Sequence, residues 1–184
     1  MVSCESSILS KISFRTEVGH SWNHGQACCA GSRIFVQAGI YDEFLKRFTE
    51  KARSIKVGDP FGEGTDQGPQ VSEIQYDVCG LRFYRLPFSD LKQRIMSYID
   101  SGKEDGATVV TGGDRHGNEG YFINPTIFTD VKPDMKIVQE EIFGPVGVVI
   151  KFENAEGALR LSPLCLCIFL IAAYRCDPTG KRHW

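Results

Sequence analysis

The sequence has no long apolar run, no block of basic residues and no regular cysteine framework. Its longest apolar run, Leu164 to Ala173, has ten residues and is too short to span a bilayer, so no membrane partner is expected. The net charge at pH 7 is -2, and no run of lysine or arginine occurs. Because nucleic-acid binding needs a concentrated basic surface, a nucleic-acid partner is not expected either.

The seven cysteines are odd in number and irregular in spacing. No Cys-x-x-Cys or His-x-His motif occurs, so neither a disulfide framework nor a metal site is predicted. The first twenty residues contain Glu5 and Glu17 and no continuous apolar block, which argues against a secretory leader. A cytoplasmic location is predicted. Serines near Lys11 and Arg15 leave a mitochondrial location as the alternative.

The residues that are present suit an α/β protein of one domain or slightly more. The chain has 184 residues, of which 42% are hydrophobic and 24% are charged, and a chain of this size can bury a real core. Short apolar segments rich in branched residues predict strands. Because helices alternate with them, the pattern predicts a largely parallel sheet. The predicted strands are residues 34–37, 107–111, 121–123, 125–128 and 147–152.

A helix is predicted directly after the first strand. Asp42 can cap its N-terminus, and charged residues fill the face opposite its apolar positions. Those apolar positions at helical spacing are Phe44, Leu45, Phe48, Ala52 and Ile55.

A second helix is interrupted in the sequence by residues 78–93. Gly80 and Pro87 break any helix there. Without this segment, apolar residues on both sides would form one helical stripe, and Gly102 would sit at the C-terminal cap. We therefore predict that 78–93 is foreign to the fold, for example an unspliced intron read in frame. The alternative is a lineage-specific loop inserted in the helix.

Two adjacent cysteines, Cys28 and Cys29, lie among small residues with a glycine on each side. Glycines allow tight turns and close backbone approach to a ligand, so a thiol in such a turn can act as a nucleophile. The alternative is a buried cysteine pair in a tight loop.

Two motifs resemble signatures of the NAD(P)-dependent aldehyde dehydrogenases. Residues 25–33 read Gly-Gln-Ala-Cys-Cys-Ala-Gly-Ser-Arg and resemble the family's active-site cysteine motif. Residues 140–146 read Glu-Glu-Ile-Phe-Gly-Pro-Val and resemble its other strong motif. The motifs occur in the family's order and at roughly its spacing, and the loop 64–71 is also similar to the family.

The resemblance covers residues 23–161 apart from 78–93. It implies an α/β fold consisting of a partial aldehyde-dehydrogenase-like catalytic domain, with the N-terminal cofactor domain absent. Residues 1–22 are predicted to be a leader outside the family. Residues 162–184 are predicted to be a tail outside the family, and the alternative for the tail is a stray core strand.

The resemblance implies an oxidoreductase that converts a small-molecule aldehyde to a carboxylic acid, with NAD or NADP as the cofactor. In this family a thiolate attacks the aldehyde carbonyl and forms a thiohemiacetal. Hydride then leaves to the nicotinamide, and water activated by a general base hydrolyses the resulting thioester.

The family's functional residues match individual positions of this sequence. Cys28 takes the position of the nucleophile, and its backbone N–H would form half of the oxyanion hole. Cys29 takes the neighbouring variable position, without a catalytic role. Glu141 falls where the family holds the nicotinamide ribose hydroxyls, which suits a carboxylate because it accepts two hydrogen bonds. Phe143 falls where an aromatic ring borders the nicotinamide, and Gln75 matches a residue near the same ribose.

Each of these positions also has a structural alternative. Glu141 could be a solvated surface glutamate, although that description fits Glu140 better, and Phe143 could pack in the core. His24 lies close to the nucleophile in sequence. Ordinary loop packing is favoured for His24 over a role as general base.

The sequence also departs from the family's pattern. In the family, a general-base glutamate in a Glu-Leu-Gly-Gly-Lys type motif lies upstream of the cysteine, as does the oxyanion-hole asparagine, and no such motif occurs here. We therefore expect little turnover from the isolated chain. Family members form homo-oligomers, but the segment that joins the subunits is expected to be missing. The rival hypothesis is an inactive fragment that interacts with a full-length relative. A thiol-redox module is less favoured, since no resolving cysteine stands two residues after Cys28.

Overall fold

The computed structural model describes residues 23–28, 30–71 and 95–153 in full, and the backbone of Trp22 and of residues 168–171, 175–176 and 182–183. Short 3-10 turns occupy Trp22–Gly25 and Ala38–Ile40. The helices are α1 (Tyr41–Arg53), α2 (Ile95–Glu104) and α3 (Lys136–Gln139). The strands are β1 (Arg33–Gln37), β2 (Thr108–Thr111), β3 (Thr126–Thr129), β4 (Val146–Phe152), β5 (Ile168–Ile171), β6 (Arg175–Cys176) and β7 (Arg182–His183).

The strand β1 lies inside a five-stranded sheet with the order β2-β3-β4-β1-β5. It pairs in parallel with β4, where Arg33 faces Val148, and in parallel with β5, where Arg33 faces Ile168. β3 also runs parallel to β4, whereas β2 pairs antiparallel with β3. The predicted α/β fold with a largely parallel sheet is therefore confirmed. Whether residues 162–184 lie outside the family stays a prediction.

The apolar side chains of β1 alternate between two cores, one on each face of the sheet. Ile34 and Val36 pack with α1, whose Phe44 and Phe48 are fully buried. Phe35 belongs to the core on the opposite face, which α2 and α3 cover. This alternation follows from the two-residue period of a strand. The sheet around β1 is therefore buried on both faces, and this burial fixes where the amino end of β1 lies.

Two predictions from local patterns are wrong. Asp42 does not cap α1: it lies in the first turn, and the N-cap is Ile40, which makes no side-chain capping bond. A carboxylate in the first turn is still favourable, because it faces the positive end of the helix dipole. Residues 121–123 do not form a strand, since the ladder there is an isolated bridge between Arg115 and Ile123.

The predicted C-terminal cap of α2 is also wrong. Gly102 lies inside the helix, where a β-carbon would come within 2.9 Å of Ile137 Cδ1. The helix ends at Glu104 and is terminated by Gly106, whose φ of 89° lies in the left-handed region. Gly106 N–H donates to Lys103 O, and Ala107 N–H donates to Gly102 O. This pair of bonds is the Schellman arrangement, so the glycine at the cap position is four residues later than predicted.

Part of the predicted second helix is described. Ile95 and Ile99 are buried on one face of α2, as the predicted stripe requires. Residues 72–94 lie outside the described residues, and with them Gln75 and the predicted insert 78–93. Residues 1–21 of the predicted leader lie outside them too.

Candidate active site

Three consecutive residues before the cysteine pair adopt left-handed backbone conformations. Their φ angles are 51° at Asn23, 59° at His24 and 72° at Gly25. Asn23 and Gln26 close this turn, since Gln26 N–H donates to Asn23 O at 3.0 Å and Asn23 Nδ2 donates to Gln26 O at 3.0 Å. Non-glycine residues rarely adopt this region, and Asn, Asp and His are enriched among those that do. The two non-glycine residues here are Asn23 and His24.

Gly25 packs directly against the second motif. A β-carbon on Gly25 would lie 1.9 Å from Gly144 O and 3.1 Å from Pro145 N. No other residue fits this contact, because any side chain there would overlap a backbone carbonyl. The two motifs, more than one hundred residues apart in sequence, are therefore in van der Waals contact.

Arg33 makes a second connection between the two motif regions. It is the last residue of the cysteine motif and is buried. Its Nη1 donates to Val138 O at 2.9 Å and to Gln139 O at 3.3 Å. These are the carbonyls of the last two residues of α3, and Glu140 follows them directly. A guanidinium bound to helix C-terminal carbonyls also meets the negative end of the helix dipole.

Cys28 itself is exposed to solvent. It lies in a turn that Ala30 N–H closes by donating to Ala27 O at 2.9 Å. The neighbouring Cys29 lies outside the described residues. For Cys28, the alternative of a buried structural cysteine is wrong.

The acidic and aromatic residues of the second motif differ in their surroundings. Glu141 is exposed and Phe143 is partly buried. Glu140, predicted as a solvated glutamate, instead accepts a hydrogen bond from the Tyr98 hydroxyl at 2.7 Å and is partly buried. That prediction is wrong because Tyr98 of α2 faces the turn. Of the two glutamates, Glu140 therefore has the structural role and Glu141 faces solvent.

A segment that sequence reasoning did not assign to the site contacts the cysteine motif. Gly68 N–H donates to His24 Nε2 at 3.2 Å, and Val71 N–H donates to Gln26 Oε1 at 3.1 Å. His24 is half-buried, and burial lowers its pKa below the ordinary 6.5. The resemblance of the loop 64–71 to the family was the available sequence signal, but it did not show which residues the loop touches.

Cys28 does not line either of two clefts on the described surface. One, of about 390 Å³, is lined by residues including Tyr41, Asp130 and Lys151. These residues lie at the carboxyl ends of the parallel strands, whereas Cys28 precedes the amino end of β1. The other, of about 510 Å³, includes His116 in its lining. The candidate site is therefore a pair of touching turns at the amino edge of the sheet.

The described residues contain no group of three or more His, Cys, Asp or Glu side chains that could hold a metal ion. None of the helices in that part of the chain is long and apolar enough to cross a membrane. The candidate chemistry is thus that of the cysteine turn and its neighbours.

Comparison with known proteins identifies the two motifs. The model of the Aldehyde dehydrogenase family matches residues 9–82 and 88–162. An aldehyde dehydrogenase of Agaricus bisporus is 63% identical over 145 residues, which is 79% of this chain and 26% of that protein. An aldehyde dehydrogenase of Emericella nidulans is 57% identical over 143 residues, covering 78% of this chain and 26% of the relative.

A solved structure agrees with the sequence comparison. The NAD+ complex of the aldehyde dehydrogenase from Bacillus cereus superposes with a TM-score of 0.72 at 38% identity, covering 83% of this chain and 28% of that one. The chain spans about a quarter of the length of the curated relatives it matches. The resemblance read from residues 25–33 and 140–146 is confirmed, and the chain belongs to the aldehyde dehydrogenase family.

Proposed function

We propose that this chain carries the nucleophile of an aldehyde-oxidising site that uses NAD or NADP, with Cys28 as the nucleophile. The observation that supports this most strongly is the contact of Gly25 with Gly144, because it brings the cysteine turn against the turn that carries Glu141 and Phe143. Membership of the family supports the reaction class. The substrate is a small-molecule aldehyde.

Cys28 suits the first step of this reaction. A thiolate sulfur is a soft nucleophile that adds to an aldehyde carbonyl and forms a thiohemiacetal. The exposed side chain can meet an aldehyde without rearrangement. Backbone N–H groups of the same turn are the donors closest in sequence for the oxyanion that forms on the carbonyl oxygen. In this proposal, the turn both presents the sulfur and stabilises the developing charge.

The residues of the second turn fit a nicotinamide cofactor. Glu141 places an exposed carboxylate there, and a carboxylate can accept hydrogen bonds from two ribose hydroxyls. Phe143 places a partly buried ring two residues away, which can pack against a flat heterocycle. When bound, the nicotinamide would supply the acceptor for the aldehyde hydride. Gln75, outside the described residues, remains a further predicted ribose neighbour.

The addition step is tested by nuclear magnetic resonance with benzaldehyde labelled with carbon-13 at the carbonyl. This aldehyde has no α-hydrogen, so it cannot enolise and complicate the spectrum. We expect a thiohemiacetal carbon signal with the wild-type chain and with Cys29→Ser, and its loss in Cys28→Ser. No cofactor is needed, so the result depends on the nucleophile alone. A signal that survives in Cys28→Ser, or vanishes equally in both variants, would contradict the assignment.

A further inference from the structure

We propose that His24 is a positioning residue, which accepts a hydrogen bond from Gly68 and thereby holds the turn that presents Cys28. The inference rests on the proposed function of Cys28 as the nucleophile. It assigns His24 a role in which it does not touch the reacting atoms. Residues 68–71, here called the strap, are the segment that holds the cysteine turn in place.

The strap forms hydrogen bonds with the residues on both sides of Gly25. His24 Nε2 accepts from Gly68 N–H at 3.2 Å, and Gln26 Oε1 accepts from Val71 N–H at 3.1 Å. Gly25, which lies between them, packs against Gly144 O. The left-handed conformation at His24 is unfavourable for a residue with a side chain, and the two tertiary hydrogen bonds offset that cost.

The strap is itself fixed to the body of the molecule. Gln67 Nε2 donates to Ile123 O at 2.8 Å, and Gln70 N–H donates to Tyr121 O at 2.9 Å. Gln67 and Gln70 are both buried. A hydrogen bond from His24 to this segment therefore ties the cysteine turn to a rigid part of the fold.

The bond also defines the protonation state of His24. Because Nε2 accepts a hydrogen bond, that nitrogen carries no proton and the ring proton lies on Nδ1. Burial lowers the pKa of His24, which favours this neutral ring. The nitrogen that would act as a general base is already engaged by a backbone donor. The geometry thus favours a positioning role for His24 over a role as general base.

Three variants separate positioning from general stability. His24→Ala removes the acceptor, His24→Gln replaces it with an amide oxygen, and His116→Ala removes an exposed histidine elsewhere that contacts Asn124. The readout is the rate of alkylation of Cys28 by iodoacetamide in the full chain, resolved from Cys29 by fragment-ion mass spectrometry. Losing one hydrogen bond of about 1 kcal/mol corresponds to a rate loss of about fivefold. We expect that loss in His24→Ala, recovery in His24→Gln and the wild-type rate in His116→Ala.

Equal Cys28 rates in His24→Ala and His116→Ala would overturn the proposal, as would a His24→Gln variant as slow as His24→Ala. Nitrogen-15 resonances of the wild-type His24 ring give a second test that needs no variant. A proton on Nδ1 supports the proposal, and a proton on Nε2 overturns it. Neither experiment requires turnover. If both succeed while no aldehyde adduct forms on Cys28, the proposed function fails and the positioning of the turn stands.

Discussion

At the scale of single residues, Gly25 is the point of contact between the two motifs. Gly25 combines a φ of 72° with a backbone contact that leaves no room for a β-carbon. The motif made Cys28 predictable from sequence, as a member of a recognised pattern. The bonds of His24 and Gln26 to the strap were not predictable, because they join residues more than forty positions apart and no local pattern encodes them.

Gly25→Ala is expected to destabilise the chain strongly. The added methyl carbon would lie 1.9 Å from Gly144 O, and the residue would keep a left-handed φ. Strain and overpacking together predict a loss of about 3 kcal/mol in the free energy of unfolding, measured by urea denaturation. Gly39→Ala is the matched control, since nothing lies within 4 Å of its β-carbon position, and its effect should stay within about 0.5 kcal/mol. Similar losses in both variants would refute the contact between the motifs.

At the scale of elements, the spacing of apolar residues predicted the helices and strands better than the capping residues predicted the helix ends. The apolar positions of α1 and the strand β1 were predictable, because burial on a defined face forces a period of 3.6 or 2. The ends of the helices were not. Gly102 had the residue type of a cap, but packing against Phe128 and Ile137 requires a glycine inside the helix, while Gly106 ends it. Two glycines close together cannot be told apart without knowing which one faces the core.

The start of α1 gives a pH-dependent prediction. Burial, and then the carboxylates of Asp130 and Asp42, raise the pKa of Tyr41 from 10.0 to about 12. In the unfolded chain Tyr41 loses its proton near the ordinary pKa, while the folded chain still holds it. Between these values the unfolded state binds fewer protons, so the free energy of unfolding should fall as pH rises.

Tyr41→Phe removes this titration and leaves the ring, over which Lys151 Nζ lies at 5.4 Å from the centroid. Urea unfolding measured from pH 9 upwards should therefore show a steeper alkaline loss in the wild-type chain than in Tyr41→Phe. Because Tyr41 is only about half-buried, solvent screening makes this difference smaller than a fully buried tyrosine would give. Parallel curves for the two proteins would show that Tyr41 does not titrate differently on folding.

At the scale of the whole molecule, strand order explains why two distant motifs form one site. β1 and β4 are neighbours and run parallel, with Arg33 opposite Val148. Their amino ends therefore lie side by side, and the turns that lead into them meet. Val148 N–H donates to Ser32 O at 2.8 Å, which fixes this register beside the site. Alternation of strands and helices predicted a parallel sheet, but the order of its strands is a tertiary property that periodicity does not contain.

The central claim is that the cysteine turn and the Glu141 turn form one site, and NAD+ protection of Cys28 tests it most directly. The rate of alkylation of Cys28 by iodoacetamide is measured with and without NAD+, with added glutathione as the reference thiol. Glu141→Gln is compared with Glu140→Gln, because the Glu140 carboxylate is already bound by the Tyr98 hydroxyl. Hydrogen bonds to a charged group contribute about 1.5 kcal/mol or more, which corresponds to roughly tenfold in NAD+ affinity.

We predict that NAD+ slows alkylation of Cys28 but not of the reference thiol. Glu141→Gln should require roughly tenfold more NAD+ for the same protection, whereas Glu140→Gln should behave as the wild-type chain. A Cys28 rate that stays unchanged at NAD+ concentrations at which titration shows the cofactor bound, or equal effects of the two glutamate variants, would contradict a shared site.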